Sequence, residues 1–233
     1  MFDRKLFTYN EETHTGFYNG EVVPSCTQLI NVLYPLDERI PEENLKKAAT
    51  RGTEIHDRIE KVNLAIMGGK TIEELYVEEQ TLEVAQYLEL LHAYNLKPVM
   101  AEKLVFLLDE NGDLICYGHF DFVCECEKTN ELFACLEYYL MDLKTTSKFD
   151  KKKTALQTQV YRVALNQETN NSLNGKTCGL WLRDENANLY PFEKVEDNDI
   201  ISIMKGLKLK YDKERTTNNW EDRGINPYQI CET

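Results

Sequence analysis

The sequence has no long apolar run. No stretch approaches the roughly 18 consecutive apolar residues that a membrane-spanning helix needs. The first five residues are not followed by the apolar segment of a secretory signal. We therefore expect a protein that has no membrane partner and works in the cytoplasm.

Cysteine is present, but without the spacing of a metal site. The seven cysteines are odd in number, and no two have the CxxC spacing, which leaves a structural zinc site without support. Four lie in or near apolar, strand-like runs, where a reduced cysteine behaves as a small hydrophobe: Cys116, Cys124, Cys126 and Cys135. Reduced cysteines fit a cytoplasmic protein.

Linkers, repeats and low-complexity tracts are absent as well. The chain is 42% apolar and 29% charged, which is typical of a globular protein, and its length is enough to bury a full core. We predict a single domain over residues 1–233, with a mainly helical part at 1–98, a core at 99–182 and a helical C-terminal part at 183–233.

Positive charge is scarce, because 27 basic residues face 40 acidic ones and give a net charge of −13. An acidic surface repels a phosphate backbone, so this balance argues against non-specific adhesion to nucleic acid. The basic residues are nevertheless concentrated in two places. One group is Lys144, Lys148, Lys151, Lys152 and Lys153, and the other is Lys205, Lys208, Lys210, Lys213 and Arg215. Each group either binds a nucleic-acid strand locally or is an ordinary solvated surface.

Turn and cap residues place the elements of the first half. Asn19-Gly20 is typical of a hairpin turn, Ser25 of a helix N-cap and Gly68-Gly69 of a helix end. The predicted elements are a hairpin over 17–23, a short helix with Leu29, Ile30 and Leu33 on its apolar side, a helix from about Glu42 to Met67 with a break near Thr50, and a helix from about Glu78 to Tyr94.

From residue 99 onward the pattern changes to that of strands. The predicted elements are strands at Val99–Leu108, Leu114–Cys126 and Phe133–Thr145, joined by a turn at 109–113 and a polar loop at 127–131. They are followed by a helix at Thr154–Gln167 with an apolar side of Leu156, Val160 and Val163, a strand at Thr177–Leu182 and a helix at Asp197–Arg215. The first three strands form an antiparallel meander, and the whole is an α/β fold with one central mixed sheet flanked by helices.

Two charged residues interrupt the third strand of this meander. Side chains alternate along a strand, so Asp142 and Lys144 share one face while Met141 and Leu143 take the other. A charge in an apolar strand is costly unless it has a strong partner, such as a metal ion or a substrate phosphate. The alternative is an internal salt bridge, and the spacing alone leaves both open.

Asp121 repeats this pattern one strand earlier, between Phe120 and Phe122. If the strands pair, Asp121 and Asp142 converge on one cation, and Gly118 leaves room for a ligand or a backbone beside them. Two carboxylates repel each other unless a cation neutralises them, and Mg²⁺ prefers such oxygen ligands. A lysine there can orient or deprotonate a water, or offset charge on a phosphate. These are the requirements of phosphodiester hydrolysis.

Two positions outside the third strand could extend such a site. Gly52 and His56 lie one helical turn apart, and the imidazole is a reasonable third metal ligand, although a single helical histidine is usually structural or solvated. Glu102 lies in an apolar strand, where it could face Asp121 or pair with Lys103.

Gln157 and Tyr161 also lie one helical turn apart, away from the apolar stripe of their helix. Both could donate hydrogen bonds to a phosphate, and the Tyr161 ring could stack on a base. An ordinary polar helix edge is the alternative.

The order of these residues resembles the RecB-type exonuclease branch of the PD-(D/E)XK superfamily. The matching residues are Gly52 and His56, Glu102, Gly118 and Asp121, Asp142 and Lys144, and Gln157 and Tyr161, which span about half of the chain. The stretches 142–146 and 24–27 also look like those of phage-encoded members, which would place the protein in a bacterial host cell.

The resemblance implies a restriction-endonuclease-like core, with catalysis in residues 99–182, and a Mg²⁺- or Mn²⁺-dependent exonuclease that acts on the ends of linear DNA in recombination, repair or DNA processing. It assigns metal binding to His56, Asp121, Asp142 and the Leu143 carbonyl, support of that shell to Glu102, and the attacking water to Lys144. Gln157 and Tyr161 would hold the DNA backbone. We add Arg51 and Lys148 as DNA contacts, and a recombination or single-strand-binding protein as a further candidate partner.

Some relatives carry four cysteines that bind an iron–sulfur cluster, among them a CRISPR-associated and a helicase-linked group. Here Cys26 and Cys231 lie at suitable ends, but no cysteine triplet accompanies them near the C-terminus. We therefore predict that no cluster is bound.

Two other functions remain open from the sequence. The same site would serve a structure-specific or nicking endonuclease. A nuclease fold that only binds nucleic acid or another protein is the non-enzymatic alternative, and the acidic charge favours it.

Overall fold

The computed structural model describes residues 1–35, 39–76, 81–129, 134–169 and 175–218, and the side chains of 127–129, 134–136 and 216–218 are not among those described. A short 3₁₀ turn at Arg4–Leu6 precedes the first strand. The strands are β1 (Phe7–Asn10), β2 (Thr15–Tyr18), β3 (Glu21–Val23), β4 (Leu96–Met100), β5 (Lys103–Leu108), β6 (Leu114–Phe120), β7 (Phe122–Thr129), β8 (Ala134–Lys144), β9 (Lys176–Arg183) and β10 (Asn186–Phe192). The helices are α1 (Cys26–Leu33), α2 (Glu42–Met67), α3 (Ile72–Tyr76), α4 (Leu82–Ala93), α5 (Lys151–Glu168) and α6 (Asp197–Asn218).

The N-terminal hairpin and the first helix are confirmed. Asn19 and Gly20 both have positive φ, 52° and 82°, as the predicted two-residue turn requires. Ser25 caps α1, and Gln28 completes a capping box by accepting the Ser25 N–H at 2.6 Å. The strand β1 was not predicted, and it adds a third strand to this small sheet.

The long helix α2 runs unbroken from Glu42 to Met67, so the predicted break near Thr50 is wrong. A single β-branched residue costs a helix little when the neighbouring turns hold it. The helix ends as predicted, because Gly69 takes a positive φ of 102° that a side chain would disfavour. The next long helix, α4, begins at Leu82, and the predicted start at Glu78 lies outside the described residues.

The central sheet is mixed and has five strands in the order β10-β9-β8-β7-β4. Only β8 and β9 run parallel, and the other neighbours are antiparallel. This confirms a mixed sheet flanked by helices. The terminal strand β10 was not predicted, since its residues 186–192 lack a clear apolar alternation.

The predicted meander in one sheet is wrong in its first two strands. The run Leu114–Cys126 divides at Asp121 into β6, which pairs with β5 in a separate two-stranded sheet, and β7, which joins the central sheet. The run Val99–Leu108 divides at residues 101–102 in the same way. Asp121 explains the first division, because its side chain rather than a strand backbone accepts the Leu143 N–H. The polar segment predicted as a loop from 127 instead continues β7 to Thr129.

The two faces of the central sheet carry separate cores. One face packs Met141, Leu143 and Leu180 against α2 and α4. The other packs Leu140 and Val123 against α1, α5, α6 and the β5–β6 pair. Asp142 and Lys144 point to this second face, as the strand alternation predicts, and are therefore placed between the sheet and α5.

The helix α5 lies inside the molecule rather than on its surface. Most of its side chains are buried, including the polar Thr158, Gln159 and Asn166. The alternative of an ordinary polar edge at Gln157 and Tyr161 is wrong, because both are buried and the β5–β6 pair packs against this helix.

Two sequence predictions concern cysteines and membrane spans. Five cysteines are buried and unpaired, namely Cys26, Cys116, Cys124, Cys126 and Cys178, so Cys116, Cys124 and Cys126 pack as the small hydrophobes that were predicted. The Cys135 side chain and Cys231 lie outside the described residues. No helix in the described ranges is long and apolar enough to cross a bilayer.

Candidate active site

The end of β8 places Asp142 and Lys144 side by side. Asp142 is only 2% exposed, and the Lys144 Nζ lies 2.6 Å from its Oδ2. The salt bridge that the sequence left open is therefore present. The Lys144 ammonium is the charged partner of this buried Oδ2, and no other donor of the described residues reaches it.

Asp121 lies where β6 ends and β7 begins, opposite Asp142. The register pairs Phe122 with Met141, which brings the two aspartates together across the strands. The Asp121 Oδ2 accepts the Leu143 N–H at 2.5 Å. This bond fixes the carboxylate against the backbone that carries Asp142 and Lys144, so the two aspartates are neighbours across the strands, and their convergence on one cation stays a prediction.

His56 approaches the same point from α2. Its Nδ1 lies 3.4 Å from the Asp121 Oδ1. One turn earlier, Gly52 faces Thr145 so closely that an added Cβ would lie 3.3 Å from the threonine Oγ1. The glycine therefore lets the end of β8 pass beside α2, as its spacing from His56 suggested.

A small cleft opens beside His56 and Asp121. It is lined by His56, Ile59, Glu60, Asn63, Glu102, Asp121, Phe122 and Leu143. Glu102 reaches it from the interruption between β4 and β5, while Lys103 pairs instead with Glu168 at 3.0 Å. The predicted position of Glu102 near Asp121 is thus observed, and the alternative pairing with Lys103 is not.

Glu60 is the member of this cleft that the sequence analysis missed. It follows His56 by four residues, so the two share a face of α2. A search for carboxylates one turn after His56 would have found it. The facing carboxylates of Glu60 and Asp121 add to burial in raising the pKa of Glu102.

The buried charges shift one another's pKa values. Burial raises the pKa of Asp142 to about 6, although Lys144 opposes the shift. Desolvation disfavours the charged form of Lys144, but the carboxylates of Asp142 and Asp121 outweigh it and raise the lysine pKa. The same competition raises the pKa of His56 beside Asp121. Lys144 is therefore a cation held against two carboxylates.

Gln157 and Tyr161 lie behind the aspartates, and both are buried. The Gln157 Nε2 donates to the Tyr161 hydroxyl at 3.0 Å. The Tyr161 ring fills the space beside Gly118, where an added Cβ would collide with it. The Tyr161 ring therefore occupies the space that was predicted beside Gly118. Because the ring is buried there, it cannot stack on a base. The hydrogen bonds to a phosphate remain a prediction.

The two basic residues predicted to contact DNA differ in their surroundings. Arg51 forms an ion pair with Glu83 at 2.7 Å and also points at the Thr145 carbonyl, 3.4 Å away. It therefore ties α2 to α4 and to the end of β8, and its charge is largely neutralised. Lys148 is exposed in the segment between β8 and α5.

Asp121, Asp142 and His56 are side chains of the types that bind divalent cations. In the described residues, however, no three His, Cys, Asp or Glu side chains are grouped closely enough to hold a metal ion. Lys144 and His56 contact the carboxylates instead.

Comparisons with known proteins give no information about the function of this site. No family model matches the chain, and no curated protein is similar to it. Among solved structures, the chain is similar to one described as "Crystal structure of SSO0001", with a TM-score of 0.34 and 14% identity over 55% of this chain and 56% of that chain. A likeness this low carries no argument about function.

Proposed function

We propose that the protein is a metal-dependent DNA exonuclease that hydrolyses phosphodiester bonds at the ends of linear DNA. One observation carries the proposal: Asp121, Asp142, Lys144 and His56 come from three separate elements and meet beside an open cleft. Removing the Asp142–Lys144 pair from water costs free energy, and a bound cation or substrate phosphate would help to offset that cost.

His56, Asp121, Asp142 and the Leu143 carbonyl would hold Mg²⁺ or Mn²⁺, which supplies a water of lowered pKa and neutralises charge on the scissile phosphate. The Asp121 carboxylate is oriented by the Leu143 N–H, so its position does not depend on the ligand. Lys144 keeps its proton because two carboxylates raise its pKa. As a cation beside Asp142 it would orient the attacking water and stabilise the negative charge that develops on the phosphate.

The test uses linear DNA labelled at its ends, incubated with the protein and Mg²⁺. Labelled mononucleotides or short products are expected from the wild-type chain and not from Lys144→Met. Lys97→Met is the matched control, since Lys97 lies on β4 of the same sheet but in an exposed ion pair with Glu125 at 3.6 Å. Full activity of Lys144→Met would overturn the proposal.

Covalently closed circles distinguish the two enzyme classes. An exonuclease leaves them intact, whereas a nicking or structure-specific endonuclease relaxes or cuts them. If the wild-type chain cleaves the circles and Lys144→Met does not, the proposed site is supported but the enzyme is an endonuclease.

A protein that only binds nucleic acid or another protein is the second candidate. The observation in its favour is that, within the described residues, both aspartates already contact a basic side chain and no three-ligand group is assembled. Such a protein would bind DNA equally well with and without divalent metal and would leave it uncut.

A further inference from the structure

The face of the central sheet that carries Asp142 and Lys144 continues onto β9 and β10. In the register of the parallel pair, Lys144 lies beside Trp181 and Asp142 beside Gly179. On the next strand Tyr190 lies beside Gly179. Neighbouring strands are about 4.8 Å apart, so Trp181 and Tyr190 follow the proposed reaction centre on the same face of the sheet.

Phe149 joins these two residues to form an aromatic cluster. Its ring is stacked on that of Tyr190, with centroids 4.4 Å apart and an interplanar angle of 17°, and lies 6.3 Å from the Trp181 ring. Gly179 makes this possible, since a Cβ there would lie 2.5 Å from the phenylalanine Cζ. Phe149, Trp181 and Tyr190, here called the aromatic platform, are partly exposed rather than buried.

The platform is bordered by positive charge that the protein does not neutralise. Lys148, Lys151 and Lys152 are exposed, and in the described part of the chain none of them has a carboxylate partner. The Lys151 ammonium lies 4.5 Å from the Tyr190 ring centroid. Of the nearby acids, Asp150 caps α5 and Asp184 pairs with Arg183 at 3.1 Å.

The second basic group of the sequence provides the contrast. On α6, Lys205 pairs with Glu110, Lys208 with Asp212 and Lys210 with Glu214. That group is a solvated face balanced by acids. Of the two basic groups, the one beside the platform has lysines without an ion pair among the described residues, so it is the better place for a chain with a net charge of −13 to bind a polyanion.

We infer that the aromatic platform and its three lysines bind a single-stranded segment of DNA next to the cleft. The inference rests on the proposed function and adds the form of its substrate. The bases stack on the exposed parts of the rings, and the lysines contact the phosphates, as in proteins that hold single strands without reading their sequence. In a duplex the base faces are already stacked on one another, so a duplex would gain only the phosphate contacts.

Binding is measured by fluorescence anisotropy with a labelled oligothymidine of about 12 nucleotides, in EDTA so that hydrolysis cannot occur. We expect the single strand to bind more tightly than a duplex of the same length. Lys151→Ala/Lys152→Ala should weaken it about tenfold, because two phosphate contacts are lost. The matched pair Lys205→Ala/Lys208→Ala should bind like the wild type. Equal weakening by both pairs, or a preference for the duplex, overturns the inference.

Stacking has its own readout. The chain has two tryptophans, Trp181 and Trp220, so in a Trp220→Phe background the emission comes from Trp181 alone. Oligothymidine should quench this emission, and Trp181→Ala should weaken binding about tenfold while Trp181→Phe retains most of it. Unchanged emission at saturating oligonucleotide would exclude contact with the platform.

The two proposals fail in different ways. If the single strand binds the platform but no DNA is cut with Mg²⁺, the binding inference is supported and the nuclease proposal is refuted. If DNA is cut but the lysine and tryptophan variants bind as tightly as the wild type, the nuclease proposal is supported and the binding inference is refuted.

Discussion

Two ion pairs at the helix α5 each have one deeply buried member, and they are built differently. Arg162, which is 2% exposed, uses each of its nitrogens: Nε donates to Gln159, Nη1 to Asp197 at 2.8 Å and Nη2 to the Val195 carbonyl at 2.7 Å. The buried Asp142 has Lys144 2.6 Å from its Oδ2, and no other donor of the described residues reaches that oxygen.

Under the proposed function, the first is a structural pair and the second a functional one. Every partner of Arg162 belongs to the protein, so the pair ties α5 to the segment that leads into α6. We call the Asp142–Lys144 pair incomplete, because Lys144 is the one donor of the described residues at the Asp142 Oδ2 and the proposal gives this oxygen a ligand as its further partner.

The largest expected effect comes from removing both charges of the incomplete pair. Asp142→Asn/Lys144→Met should lower hydrolysis of end-labelled DNA by about 10³-fold or more, because the groups that stabilise charge on the phosphate are lost. The free energy of unfolding should change by less than about 1 kcal/mol or rise, since replacing a buried ion pair by neutral groups of similar volume is often neutral or stabilising.

Urea unfolding of the same preparation provides the check. A loss of several kcal/mol with this double variant would show that the pair holds the fold together, and the contrast with Arg162 would disappear.

The complete pair should respond in the opposite way. Arg162→Met should lower the free energy of unfolding by about 3 kcal/mol, because Gln159 and the Val195 carbonyl lose their buried partner. Arg183→Met is the control: Arg183 is partly exposed and its pair with Asp184 lies at the surface, so about 1 kcal/mol or less is expected. Equal effects of the two substitutions would contradict the structural role of Arg162.

The smallest expected effect concerns the proton on His56. Desolvation lowers the pKa of His56, but Asp121 outweighs it, and the pKa rises above the ordinary value of 6.5. A raised pKa in the folded state stabilises the fold below pH 6.5, and this contribution is lost as the pH rises through the folded value. Titration of the His56 ring signals by NMR in metal-free protein should show the raised pKa, and Asp121→Asn should bring it to 6.5 or below. The same pKa in both proteins would mean that the two side chains do not interact in solution.

The sequence was sufficient for the local features, and it named His56, Glu102 and Asp121, which line one cleft, but it missed Glu60. Asn19-Gly20, Ser25 and Gly69 act through their own backbone geometry, so their turn and caps were predictable. The shared face of Asp142 and Lys144 follows from strand alternation and was predictable as well.

The predictions that failed concern features that depend on contacts between residues distant in sequence. The division of the meander at Asp121 arises because a side chain takes the place of a backbone partner, and no local pattern reports that. The burial of Gln157 and Tyr161 arises from the separate β5–β6 pair that covers α5. The sequence did not single out Trp181, because this residue becomes a neighbour of Lys144 only through the parallel pairing of β8 and β9.

The central claim is that Asp121 and Asp142 are ligands awaiting a divalent cation. Calorimetric titration of Mn²⁺ into the wild-type chain and into Asp142→Asn/Lys144→Met tests it without reference to any substrate. We predict saturable binding to the wild-type chain that is lost in the double variant while the fold is kept. The absence of binding to the wild-type chain, or equal binding to both proteins, would contradict the account.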